Sequence, residues 1–147
     1  MRLFQYGALM LPAFVLLGMP ARAADVEQPL ATSLEGDWTA VTAERNGAAA
    51  GELVGNRLAF DEDRFRISRD NQAIYGGGFT LNSEVSPAQI DFAIGEGAAR
   101  GQSWLGIVRL EHEVLTICDN APDPKAPRPT GFATSAGSGH VCLTFKR

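Results

Sequence analysis

Histidine is nearly absent from this sequence. His112 and His140 are the only two, and neither has a partner at a metal-ligand spacing such as H-x-x-x-H. They read as exposed bystanders rather than ligands. No G-x-S-x-G elbow is present, which argues against a hydrolase of that type. Gly76-Gly77-Gly78 is glycine-rich, but Phe79-Thr80-Leu81 follows it instead of a Lys and a Ser or Thr opening a helix. A phosphate cradle needs the latter, so the glycines read as a bend in a strand. Asp61-Glu62-Asp63 gathers three acids, yet three successive residues of a tight turn cannot all face one cation. These absences predict no catalytic residue, no metal and no cofactor, and so a protein that is not an enzyme. Basic charge is also short: 13 Lys and Arg face 17 Asp and Glu, for a net charge of −4. That argues against nucleic acid or an anionic membrane surface as a partner, since both require a basic patch.

Long apolar runs are missing too, except at the start. Residues 6–19, "YGALMLPAFVLLGM", follow the positive Arg2 and precede Ala21-Arg22-Ala23. This is the pattern of a cleaved signal peptide over residues 1–23, with the cut before Ala24. The run is broken by Pro12 and is short for a membrane span. No cysteine follows it, which argues against a lipid-modified terminus. The sequence therefore predicts export to the periplasm or the extracellular space, with no membrane insertion once the signal is removed. Residues 24–33 are polar, contain Pro29, and read as a flexible lead-in. Residues 34–147 are long enough for one domain with one core.

What is present is strand signal. Leu58, Phe60, Phe65 and Ile67 alternate with polar or small residues on either side of the acidic turn, which predicts a hairpin. Ile90, Phe92 and Ile94 repeat the pattern. Residues 103–110 and 114–118 flank Glu111-His112-Glu113 as a second hairpin. Residues 46–56 read as a loop with one helical turn over 48–53. The longest loop, "DNAPDPKAPRPTG", is stiffened by four prolines and precedes the last strand, "HVCLTFKR". About eight short strands joined by turns predict an all-β fold, a single antiparallel up-and-down barrel.

Cys118 and Cys142 have the same parity in their strands. If those strands are neighbours the sulfurs can meet in a disulfide; if not, they are two buried thiols. Parity alone leaves both open. The opposite face supplies an apolar inner list: Trp38, Leu58, Phe60, Phe65, Ile67, Phe79, Leu81, Ile90, Phe92, Ile94, Leu115, Ile117, Val141, Leu143 and Phe145. It contains no titratable group. Strand 103–110 is apolar on both faces, so its inner side is not assigned. Six aromatic rings on the list favour a filled interior on packing grounds. An eight-stranded barrel also has the width for one small ligand.

Gly36-Asp37-Trp38, at the head of the first strand, resembles the G-x-W signature of lipocalin-like barrels. The resemblance implies that Trp38 plugs the closed end and that a basic residue from the last strand lies across its ring. Arg147 is the residue in that position here. The segments "LEGDWTAVTAERNG", "RLAFDEDRFRIS", "SPAQIDFAIGEG", "GQSWLGIVRLEHEVLTIC", "RPTGF" and the final "KR" are similar, in order, to an uncharacterised family of conserved, exported domains in planctomycete bacteria. That resemblance implies a lipocalin-like barrel and no particular activity. The chain departs from the family at Val108, where a tyrosine is usual, and at Glu111-His112, where an Asp-Gly turn is usual. Its Pro-rich loop is also longer.

The leading expectation is a non-enzymatic binding module taking a small apolar ligand at the end away from Trp38, with Phe65, Phe79, Phe92 and Trp104 at the mouth. The alternative is an interaction or scaffold module with a filled barrel. It would meet a protein partner through Lys125, Arg128 and Phe132 of the Pro-rich loop, unless that loop only caps the barrel edge.

Overall fold

The computed structural model describes residues 29–147, so the signal segment 1–23 and residues 24–28 of the lead-in lie outside the described residues. A short helix, α1 (Leu30–Leu34), leads into nine strands: β1 (Gly36–Arg45), β2 (Ala48–Ala49), β3 (Arg57–Asp61), β4 (Arg64–Arg69), β5 (Gln72–Asn82), β6 (Ala88–Gly97), β7 (Ser103–Glu111), β8 (Val114–Asp119) and β9 (Val141–Lys146). Each of β3 to β9 pairs antiparallel with its neighbour, and β9 returns to β1. The result is a closed, up-and-down, lipocalin-like barrel of eight strands. β2 is a two-residue spur on the far end of β1. The segment read as a loop with one helical turn over 48–53 holds this spur and a 3₁₀ turn, Gly51–Leu53.

Closure requires bends, and the sequence supplies them. A bulge interrupts the β1–β9 register between Ala40 and Thr42, and another interrupts β5–β6 between Gly76 and Gly77. At the second, a Cβ on Gly77 would lie 1.9 Å from the Ala93 carbonyl oxygen. Only glycine lets β6 come that close. The tight turns use left-handed residues: Asn46-Gly47, Asp70-Asn71 and His112-Glu113 all have positive φ. The last pair holds two non-glycine residues in a conformation that glycine adopts more cheaply.

The end of the lead-in is helical: α1 occupies Leu30–Leu34, and Leu34 is fully buried. Its carbonyl accepts the Trp38 indole N–H at 2.8 Å. Arg147 lies over the Trp38 ring, 4.2 Å from guanidinium carbon to centroid. It also donates to the carbonyls of Glu35 (2.8 Å) and Ser33 (2.7 Å). Gly36 makes room: a Cβ there would stand 2.9 Å from the Arg147 guanidinium, at a φ of +106°. Helix, indole and guanidinium together seal one end of the barrel.

The outer wall has a small core of its own. Ile107, Cys118 and Cys142 cluster there with Phe132 packed against them. Cys118 and Cys142 face each other across β8 and β9 and are joined as a disulfide. Their separation of 24 residues closes a loop whose constraint on the unfolded chain is worth about 3 kcal/mol. Replacing both cysteines by alanine is expected to lower the unfolding free energy in urea by about that amount. Arg147→Ala is expected to lower it by about 1 kcal/mol through loss of the contact with Trp38.

Candidate functional site

The barrel interior is divided along its length. Near the sealed end, aromatic rings fill the space. Phe60 meets Phe79 edge-on at 4.8 Å, and Phe65 meets Phe92 at 4.9 Å. Towards the other end the rings give way to a cavity of about 430 Å³. Ile67, Phe92, Trp104, Ile117 and Leu143 form its apolar wall. Tyr75 stacks edge-on against Trp104 at 5.1 Å, and the Trp104 indole N–H donates to Gln102 at 3.2 Å.

Of the four residues expected at the mouth, Phe92 and Trp104 line this cavity. Phe65 and Phe79 do not; they are buried in the filled half. Alternation identifies the face a side chain occupies, and all four do point inward. Depth along the barrel depends on register and tilt, which alternation does not carry. The expectation of a filled interior is likewise corrected: the rings fill one half only.

A second correction concerns charge. The inner face is not free of titratable groups. On β8, Leu115, Ile117 and Asp119 share one side, and Asp119 projects into the cavity wall. It is 7 % exposed. Burial pushes its carboxyl up to about 7, against the lowering effect of the Ala121 N–H. That N–H donates to Asp119 Oδ1 at 2.8 Å. The parity of Asp119 was visible in the sequence, but the residue stands where the apolar strand gives way to the Pro-rich loop and was assigned to the loop. Arg45 and Arg57 also line the opening and are themselves exposed. Arg45 is ion-paired with Glu52.

The Pro-rich loop is fastened to the outer wall. Arg128 forms an ion pair with Asp91 on β6 and donates to the Gly106 carbonyl at 2.8 Å. Phe132 lies under the Arg109 guanidinium at 4.2 Å. Asn120, fully buried, accepts from the Leu105 N–H and donates to the Ala126 carbonyl, both at 2.8 Å. His140 is no exposed bystander: it is half-buried, with its Nε2 2.7 Å from the Pro127 carbonyl oxygen. Of the three residues expected to meet a partner, Arg128 and Phe132 are therefore engaged within the chain, and Lys125 alone is exposed. Ile107 on β7 packs on the outer wall with Phe132, which accounts for the second apolar face of this strand.

Among the described residues, no three His, Cys, Asp or Glu side chains are placed to hold a metal ion, and no helix is long and apolar enough to cross a membrane. No family model, curated protein or solved structure matches the chain.

Asp119 ties stability to pH. Its folded-state value lies above the unfolded value of about 4, so the folded protein holds a proton that the unfolded chain has released. Stability therefore falls as pH rises from about 4 to about 7. Asp119→Asn is expected to match the parent near pH 4 and to exceed it above pH 7 by on the order of 4 kcal/mol. Urea unfolding across that range measures the divergence.

Proposed function

We propose that this protein is an exported, non-enzymatic carrier that holds one small apolar ligand in the open half of its barrel. The cavity supports this reading most directly. Its volume of about 430 Å³ falls within the range of roughly 300–1,000 Å³ usual for small-molecule sites. Its lining is mostly aliphatic and aromatic, with a few polar groups to set orientation. The filled, sealed end gives the cavity a rigid floor.

Export is proposed on two grounds. The pattern of residues 1–23 is that of a signal peptide. The Cys118–Cys142 disulfide suits an oxidising compartment. The resemblance to exported planctomycete domains agrees with both. The lining offers one carboxyl and no Ser, Thr, Cys or His beside it, so the reading is one of holding rather than turnover.

Native mass spectrometry of the protein purified from the periplasm, beside its denatured mass, tests the proposal. Extra mass lost on denaturation is the expected result. A clean unliganded mass, with no uptake from a panel of apolar compounds, would overturn it. The two tryptophans place the ligand independently: Trp104 lines the cavity and Trp38 sits in the seal. Ligand addition is expected to change the fluorescence of Trp38→Phe protein and to leave that of Trp104→Phe protein unaltered.

A further inference from the structure

One polar group on the cavity wall is only partly satisfied. Asp119 Oδ1 accepts from the Ala121 N–H, while Oδ2 has no protein partner among the described residues. In those residues no side-chain oxygen or nitrogen is both sealed from its surroundings and unpaired. Oδ2 is therefore not sealed within protein, and Asp119 is part of the cavity wall. A carboxyl in such a place is expensive to ionise unless a cation or a set of donors meets it.

The protein supplies neither. The other ionisable groups around the cavity are Arg45 from β1, Arg57 from β3 and Tyr75 from β5. Arg45 is ion-paired with Glu52, and Arg57 is exposed at the rim. Neither guanidinium pulls the Asp119 carboxyl down; burial dominates it. Nor is this stretch of chain unable to satisfy a buried side chain. The next residue, Asn120, is more deeply buried, and both its amide oxygen and its amide nitrogen are bonded. The missing partner at Asp119 is thus a local feature, confined to Oδ2 of a residue on the cavity wall.

We propose that the cavity is selective for an apolar amine, its ammonium group seated against Asp119 Oδ2 and its hydrocarbon portion against Phe92, Trp104, Ile117 and Leu143. This inference rests on the reading of the cavity as a ligand site. An ammonium brings both the charge and the N–H donors that the carboxylate lacks. The rings of Tyr75, Phe92 and Trp104 present faces or edges to the same space, and aromatic faces attract alkylammonium groups. A carboxylate ligand would instead bring like charge against Asp119. Because the free carboxyl holds its proton up to about 7, binding of an amine displaces that proton and weakens as the pH falls. Asp119 sets the trend within the cavity.

Decylamine, 1-decanol and decanoate share one chain length and differ in the head group. Their affinities for the purified protein, by titration calorimetry with Trp104 fluorescence as a second readout, test the assignment at pH 8.5 and 5.5. Decylamine is expected to bind most tightly at pH 8.5 and to lose more than about tenfold in affinity at pH 5.5. Asp119→Asn is expected to weaken decylamine at least about tenfold and to change decanol less than about twofold. Its unfolding midpoint confirms that the variant is folded. If decanol binds as tightly as decylamine, or Asp119→Asn leaves the amine unaffected, the amine assignment fails while the cavity stands. If decanoate binds most tightly, the arginines at the rim govern selection and the assignment also fails. If none of the three binds, the ligand-site reading falls with it.

Discussion

Pairing of β9 with β1 is the constraint on which the rest of the structure depends. Until that pairing forms, the sheet has two open edges and its apolar face has nothing to cover it. Once it forms, every inward side chain faces others across the barrel and no barrel strand is left as an edge. Six cross-strand pairs, from Thr39↔Lys146 to Arg45↔Val141, make the seam, and a bulge at Ala40/Thr42 lets β1 bend into it. The seam also draws β9 up to α1, so that Arg147 reaches Trp38 and two carbonyls at once. On its other side β9 pairs with β8, which puts Cys142 opposite Cys118.

The two halves of the barrel do different work because their side chains differ. Around the seal the inward positions carry Trp38, Phe60, Phe65 and Phe79, with Leu34 beneath them. These rings are large enough to meet edge-to-face across the interior, and such contacts favour a dense, rigid core. Towards the opening, Tyr75, Phe92 and Trp104 share the wall with small or aliphatic residues such as Ala99, Ile117 and Leu143, which reach less far, and the centre is left open. Dense aromatic packing is concentrated at one end of the barrel, and the other end carries a void and a buried carboxyl.

Much of this was legible in the sequence. Period-two alternation gave the strands, and Gly36-Asp37-Trp38 with Arg147 pointed, through a resemblance, to the seal. What was not legible follows from the limits of each signal. Alternation separates inside from outside but not top from bottom, so Phe65 and Phe79 were placed with Phe92 and Trp104 although they lie deeper. Residues 103–110 are ambiguous because the face of a strand can be apolar under a loop as well as inside a barrel, and Ile107 packs against Phe132 on the outer wall. Cysteine parity allowed the disulfide, but the pairing of Cys118 with Cys142 needed the register of β8 on β9. Arg128 and Phe132 looked available in a Pro-rich loop because nothing local announces that Asp91 and Arg109 lie beside them.

Asp119 shows most clearly where reading from sequence stops. By type it belongs to a loop, followed as it is by Asn120 and Pro122; by parity it belongs to β8, with Leu115 and Ile117. Tertiary structure decides for the strand, because Asp119 pairs with Val141 and with Gly106. Gly106 has its own part in this. A Cβ there would approach the Cys118 carbonyl to 2.7 Å and the Asp119 Cβ to 3.0 Å, so a larger residue on β7 would push β8 aside. Close approach of β7 thus holds β8 in register to its last residue and fixes the carboxyl on the cavity wall. An apolar residue at 119 would meet the packing needs of the wall without the desolvation penalty. A polar group held on the cavity wall against that penalty is, among the described residues of the wall, the one feature that the packing of the barrel does not account for.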